Sequence, residues 1–125
     1  MSGVSWKLDD DFKTVTITFP STPPVAIKMD ADGAGRMMQD LGEFRARMKP
    51  ETPSTYQTGQ KCEAVPYPAW RTEPELMQGN TVLHIRDPRF GWLHYMFSKE
   101  DTQKLISQLQ AQLNARPETQ SSKLN

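Results

Sequence analysis

Two histidines frame the chemistry open to this chain. His84 and His94 lie on either side of Asp87-Pro88-Arg89-Phe90-Gly91, with Arg86, Trp92 and Met96 at alternate positions beside them. Imidazoles titrate near neutral pH, and a guanidinium can grip an anion through two parallel hydrogen bonds. Brought onto one surface, His84, Arg86 and His94 would suit a small anionic ligand, with the aromatic residues Tyr56, Tyr67 and Trp70 available as a lid. Two histidines without a third ligand make a poor metal site, so no metal and no cofactor is expected. The same residues also have a reading without any ligand. Arg86 can stack on Trp92, and Trp, Met and Arg are types enriched where proteins meet.

Whether these side chains converge depends on the elements that carry them. Thr81–Arg86 and Trp92–Phe97 are rich in Val, Ile, Leu and aromatic residues, and the proline and glycine between them mark a five-residue hairpin loop. A register pairing Arg86 with Trp92 sets His84 opposite His94 and Val82 opposite Met96. It leaves Leu83, Ile85, Leu93, Tyr95 and Phe97 together on an apolar face. A slip of one residue would mix the two sets, so this register is the expected one. Past Phe97 the period changes. Ser98 is placed to cap a helix, Glu100 and Asp101 suit its positive end, and Leu105, Ile106, Leu109 and Leu113 recur at helical spacing.

The first half of the chain has a similar plan. Val4–Leu8 and Lys13–Phe19 flank Asp9-Asp10-Asp11-Phe12, a second hairpin with Val15, Ile17 and Phe19 on one face and a threonine ladder on the other. The three aspartates lack the spacing of a calcium loop and are expected to be turn carboxylates. Val25, Ile27 and Met29 make a short strand, and Asp30 or Asp32 caps a helix with the stripe Ala34, Met37, Met38, Leu41, Phe44 and Met48. Gly33 and Gly35 do not form a dinucleotide fingerprint. Gly42 inside this helix points to close packing against a neighbouring element. Shifted by sixty-eight positions, Asp30 falls on Ser98 and Met37, Met38 and Leu41 fall on Leu105, Ile106 and Leu109. Two β-hairpin–α pseudo-repeats are the expectation, with common ancestry left open.

Composition narrows the function classes. Of the 125 residues 36% are hydrophobic and 24% charged, and fifteen basic side chains balance fifteen acidic ones, so the net charge gives no electrostatic footprint for nucleic acid or an anionic membrane. No apolar run approaches membrane-spanning length. The N-terminal residues lack the basic and apolar regions of a signal peptide, and Cys62 is the only cysteine, so a cytoplasmic location is expected.

These observations lead to an α+β fold: an antiparallel sheet of about five to seven strands with two amphipathic helices on one face. A single domain is expected over 1–115, interrupted by an irregular proline-rich excursion at 49–79 with short strands at Lys61–Val65 and Ala69–Arg71, and followed by a flexible tail at 116–125. No nucleophile, base and orienting group can be assembled from spacing, so no catalytic residue is named. The expected function is a non-catalytic interaction or accessory module. Its partner is a second copy or another protein, met through the face bearing His84, Arg86, Trp92, His94 and Met96. The alternative is a small-anion-binding protein or enzyme using His84, Arg86 and His94.

Overall fold

The computed structural model describes residues 3–115, so the tail expected at 116–125 lies outside the described residues. The chain divides into two compact units, Met1–Gln60 and Lys61–Asn125. Both have the order strand, strand, strand, helix. The first holds β1 (Ser5–Leu8), β2 (Thr14–Phe19), β3 (Val25–Asp30) and α1 (Ala31–Arg45); the second holds β4 (Trp70–Glu75), β5 (Asn80–Asp87), β6 (Gly91–Phe97) and α2 (Lys99–Asn114). The fold class is α+β as expected, but the six strands are shared between two three-stranded antiparallel sheets, ordered β1-β2-β3 and β4-β5-β6. The expectation of one sheet of five to seven strands gives way to this division. Each meander ends directly in its helix, so each sheet closes with only three strands.

The first unit is built from strict alternation. Trp6 pairs with Ile17 and Leu8 with Val15, while Ile17 also pairs with Ile27 and Val15 with Met29. Partners directly opposite share a face, which collects the apolar side chains on one side. Thr14, Thr16 and Thr18 occupy the other side with Lys7 and Lys28. At the first turn Asp9 accepts from the Thr14 hydroxyl and meets Lys28 Nζ at 3.1 Å. The Thr14 hydrogen bond, and then Lys28, hold the Asp9 carboxyl below its ordinary range. These are the turn carboxylates that the sequence suggested.

Both helices start where side chains can cap them. Asp30 accepts from the amide of Gly33 at 2.8 Å, and Ser98 accepts from the amide of Asp101 at 3.0 Å. Each cap satisfies a donor that the first turn cannot pair internally. The sixty-eight-residue shift carries α1 onto α2 to within one residue at the C-terminal end. Between the middle and last strands, Pro20–Pro24 takes five residues where Pro88–Phe90 takes three. A difference of two leaves every side chain on its own face, because the strand period is two.

Two local expectations change. Residues 61–65 form no strand, while β4 is longer than Ala69–Arg71 suggested and runs through Pro74. The amide of Arg86 donates to the carbonyl of Ala69 at 2.9 Å, so even-numbered residues of β5 face β4 and the backbone groups of Trp70, Thr72 and Pro74 point outward. Pro74 therefore removes no bond from the ladder. The second concerns Gly42. A Cβ built there meets nothing within 4 Å, so the glycine is not holding a close contact within the described structure. Gly42→Ala should raise the unfolding free energy by roughly 1 kcal/mol, the ordinary gain of alanine over glycine in a helix interior. Urea denaturation checks this; a loss of stability would show that a surface packs against α1 at this point.

Candidate functional site

The β5–β6 hairpin is the frame of the site, and its turn fixes it. Asp87 pairs with Gly91 across the ladder, leaving Pro88-Arg89-Phe90 as a three-residue loop, shorter than the five-residue loop expected. The Asp87 carboxylate accepts from the amides of Arg89 at 2.8 Å and Phe90 at 3.1 Å. Gly91 leaves the turn at φ +80°, a conformation that costs glycine little. From this turn the expected register follows: Arg86 opposite Trp92, His84 opposite His94, Val82 opposite Met96.

Because the even residues of β5 bond toward β4, His84 and His94 form a pair without mutual backbone hydrogen bonds. In such pairs the side chains come closest. The Nδ1 atoms of His84 and His94 lie 2.8 Å apart, with the rings edge to face. On its other side His84 Nε2 is 3.2 Å from a carboxylate oxygen of Glu73, whose second oxygen is 3.6 Å from Arg71 Nε. The result is a row across three strands: Arg71 and Glu73 on β4, His84 on β5, His94 on β6.

The row assigns its own protons. An ionised Glu73 can only accept, so His84 carries hydrogen on Nε2. Neutral His84 then presents a bare Nδ1, and His94 must donate to it from its own Nδ1. The ring nitrogen left without hydrogen is Nε2 of His94, at the exposed end.

Arg86 does not join this row. Its guanidinium donates to the backbone carbonyl of Asp87, and among the described residues its stacking on Trp92 is not found; the cation–π contacts are Arg89 with Phe90 and Arg47 with Phe44. Trp92 and Met96 flank His94 on β6 and are exposed, with the Met96 sulfur 3.3 Å from Asn80 Nδ2. Of the aromatic residues named as a lid, Tyr67 and Trp70 lie in the second unit. Trp70 pairs with Ile85 and so stands on the opposite side of the sheet from His84. Tyr67 is 99% exposed, at φ 49°. Tyr56 belongs to the first unit, where its hydroxyl meets the carbonyl of Gln60 at 3.3 Å.

Sequence reasoning missed Arg71 and Glu73. The signal was available in Trp70-Arg71-Thr72-Glu73, which alternates large or β-branched residues with charged ones. The expected strand stopped at Arg71, short of Glu73; the observed strand continues through Pro74, which an edge position tolerates.

A different kind of surface lies in the first unit. Ile27, Met29, Met37, Leu41 and Phe44 line an open apolar groove of about 570 Å³ between β3 and α1. Among the described residues no group of three His, Cys, Asp or Glu is placed to hold a metal ion, Cys62 is exposed and unbridged, and no helix is long and apolar enough to cross a membrane. No protein family matches the chain, and no curated protein and no solved structure matches it either.

Two measurements test this geometry. Nitrogen-15 NMR of the imidazoles at about pH 8, where histidine is ordinarily neutral, should find His84 as the Nε2–H tautomer and His94 as the Nδ1–H tautomer. Glu73→Ala should scramble the His84 assignment. The turn has its own pH signature. The amide of Arg89 above all, with Phe90 and the nearby Arg89 and Arg86 charges, holds the Asp87 carboxyl below its ordinary 3.8. A depressed carboxyl stabilises the fold above its unfolded value and loses that contribution as pH falls through its folded value. Asp87→Ala should therefore be less stable than the wild type at pH 7, with the gap closing below about pH 3.8; a gap independent of pH would rule out the carboxylate as its origin.

Proposed function

We propose that the protein is a non-catalytic interaction module that works as a homodimer. The observation that carries this reading is how little of its apolar surface the chain covers for itself. Among the described residues Ile17 is the only buried hydrophobic residue. Trp6, Leu8 and Phe44 in the first unit, and Trp70, Tyr95 and Leu113 in the second, are each at least half exposed. Large apolar patches on a folded chain mark surfaces that meet other molecules.

The polar face supports the same reading over the anion-binding one. An anion site needs donors that are free and a field that is positive. Here His84 spends both ring nitrogens on His94 and Glu73, Arg71 is paired with Glu73, and Arg86 is turned to a backbone carbonyl. A carboxylate stands in the middle of the row. Around it Trp92 and Met96 present large, adaptable contact area, the side-chain types from which interface anchors are made.

Size-exclusion chromatography with light scattering tests the proposal. The wild type should elute at twice the chain mass of 14.3 kDa. Trp92→Ala should shift it toward the monomer, weakening association on the order of tenfold or more, as loss of a tryptophan anchor does. A wild type that stays monomeric at high micromolar concentration would sink the reading.

A further inference from the structure

We infer that the homodimer forms through the outer edge of β6, two copies pairing antiparallel about a two-fold axis at His94 to make one continuous six-stranded sheet. This rests on the homodimer reading and adds the mode of pairing. The starting point is a difference among the four edge strands of the described structure. β1 is four residues long and carries Lys7; β3 carries Lys28 and Asp30; β4 carries Arg71, Glu73, Pro74 and Glu75. Shortness, charge and proline are the ordinary guards of an open edge. β6, Gly91-Trp92-Leu93-His94-Tyr95-Met96-Phe97, is seven residues long with no proline and no Asp, Glu, Lys or Arg.

The backbone of β6 fixes the pairing. Odd-numbered residues of β6 bond to β5, so the N–H and C=O groups of Trp92, His94 and Met96 point away from the sheet. Among the described residues none of these groups has a hydrogen-bond partner. An antiparallel partner can use all three residues in only one way. His94 pairs with the partner's His94, Trp92 with the partner's Met96, and Met96 with the partner's Trp92. Any shifted register leaves at least one of the three unpaired. This arrangement is self-complementary, as a two-fold interface requires.

The helices fit the same axis. α2 lies across β5 and β6 and leaves Ile106, Leu109 and Leu113 exposed. An axis perpendicular to the sheet keeps both copies of α2 on one side. A helix seated between β5 and β6 then lies two strand spacings from its counterpart, about 9.6 Å at the usual inter-strand distance. Packed helices sit about 8–10 Å apart, so the exposed stripe of each α2 gains a second apolar helix beside it. On the opposite side the histidine row becomes continuous, running from Glu73 through His84 and His94 to the partner's His94, His84 and Glu73.

Hydrogen exchange followed by NMR on the wild-type dimer, together with light scattering of His94→Pro and His94→Ala, tests the inference. The His94 amide points outward, so proline there removes no backbone bond within the chain and blocks the central pair of the seam; the side-chain bond to His84 is lost equally in His94→Ala, which serves as its control. Expected are slow exchange at Trp92, His94 and Met96, a monomeric His94→Pro with an unchanged circular dichroism spectrum, and a dimeric His94→Ala. A dimer in which those three amides exchange as fast as the outward Thr72 amide of β4 overturns edge pairing while leaving the homodimer standing. A monomeric wild type overturns both. Should His94→Pro fail to fold, the exchange rates of the wild type decide alone.

Discussion

The structure of the second unit depends on the turn that joins β5 to β6. One carboxylate, that of Asp87, accepts two backbone amides and closes a three-residue loop with Gly91 at positive φ. That closure sets the register, and the register sorts side chains by parity. Val82, His84, Arg86, Trp92, His94 and Met96 go to the polar face, and Leu83, Ile85, Leu93, Tyr95 and Phe97 to the helix side. A loop longer by a single residue would move His94 to the side of Leu83 and Ile85 and dissolve the histidine pair. The chemistry of the site is thus set three or more residues away from it, by a hydrogen-bonding requirement of the backbone.

Parity also explains what could be read from the chain and what could not. The His84–His94 and Arg86–Trp92 pairings were legible because only one register keeps Leu83, Ile85, Leu93, Tyr95 and Phe97 together. The caps Asp30 and Ser98 were legible because short polar side chains ahead of an apolar helical stripe satisfy amides nothing else can reach. The contribution of β4 was not. Its pairing with β5 is set by the connection Leu76–Gly79 and by an edge position that excuses Pro74, and neither follows from local pattern. The division into two sheets was hidden for a related reason. Alternation tells which face a residue takes, not which strand lies beside it. Gly42 misled because a glycine in a helix can mark a close approach, and here the space beside it is open.

The row from Arg71 to His94 shows how a polar network and an apolar surface share one small sheet. Each member satisfies its neighbour: guanidinium to carboxylate, carboxylate to imidazole, imidazole to imidazole. Such a network needs little from solvent along its length, so the face can be covered by another protein surface without stranding donors or acceptors. What it leaves over is one basic nitrogen, His94 Nε2, at the strand edge. A face of this kind tolerates burial far better than an isolated pair of charged groups would.

Comparison of the two units separates frame from chemistry. Trp6 stands opposite Ile17, and Ile17 opposite Ile27; Trp70 stands opposite Ile85, and Ile85 opposite Leu93. The same large residue on the first strand meets the same branched residue on the second, and a capped helix follows the third in both. On the other face the likeness ends. Where β5 and β6 carry Val82, His84, Arg86, Trp92, His94 and Met96, the first unit has threonines, Ala26 and Lys28. The apolar side is what a three-stranded meander with one helix must have in order to fold, and it is kept. The outer side is free of that demand, so the histidine row is not a by-product of the fold. The residues of the row are ones the fold itself did not require.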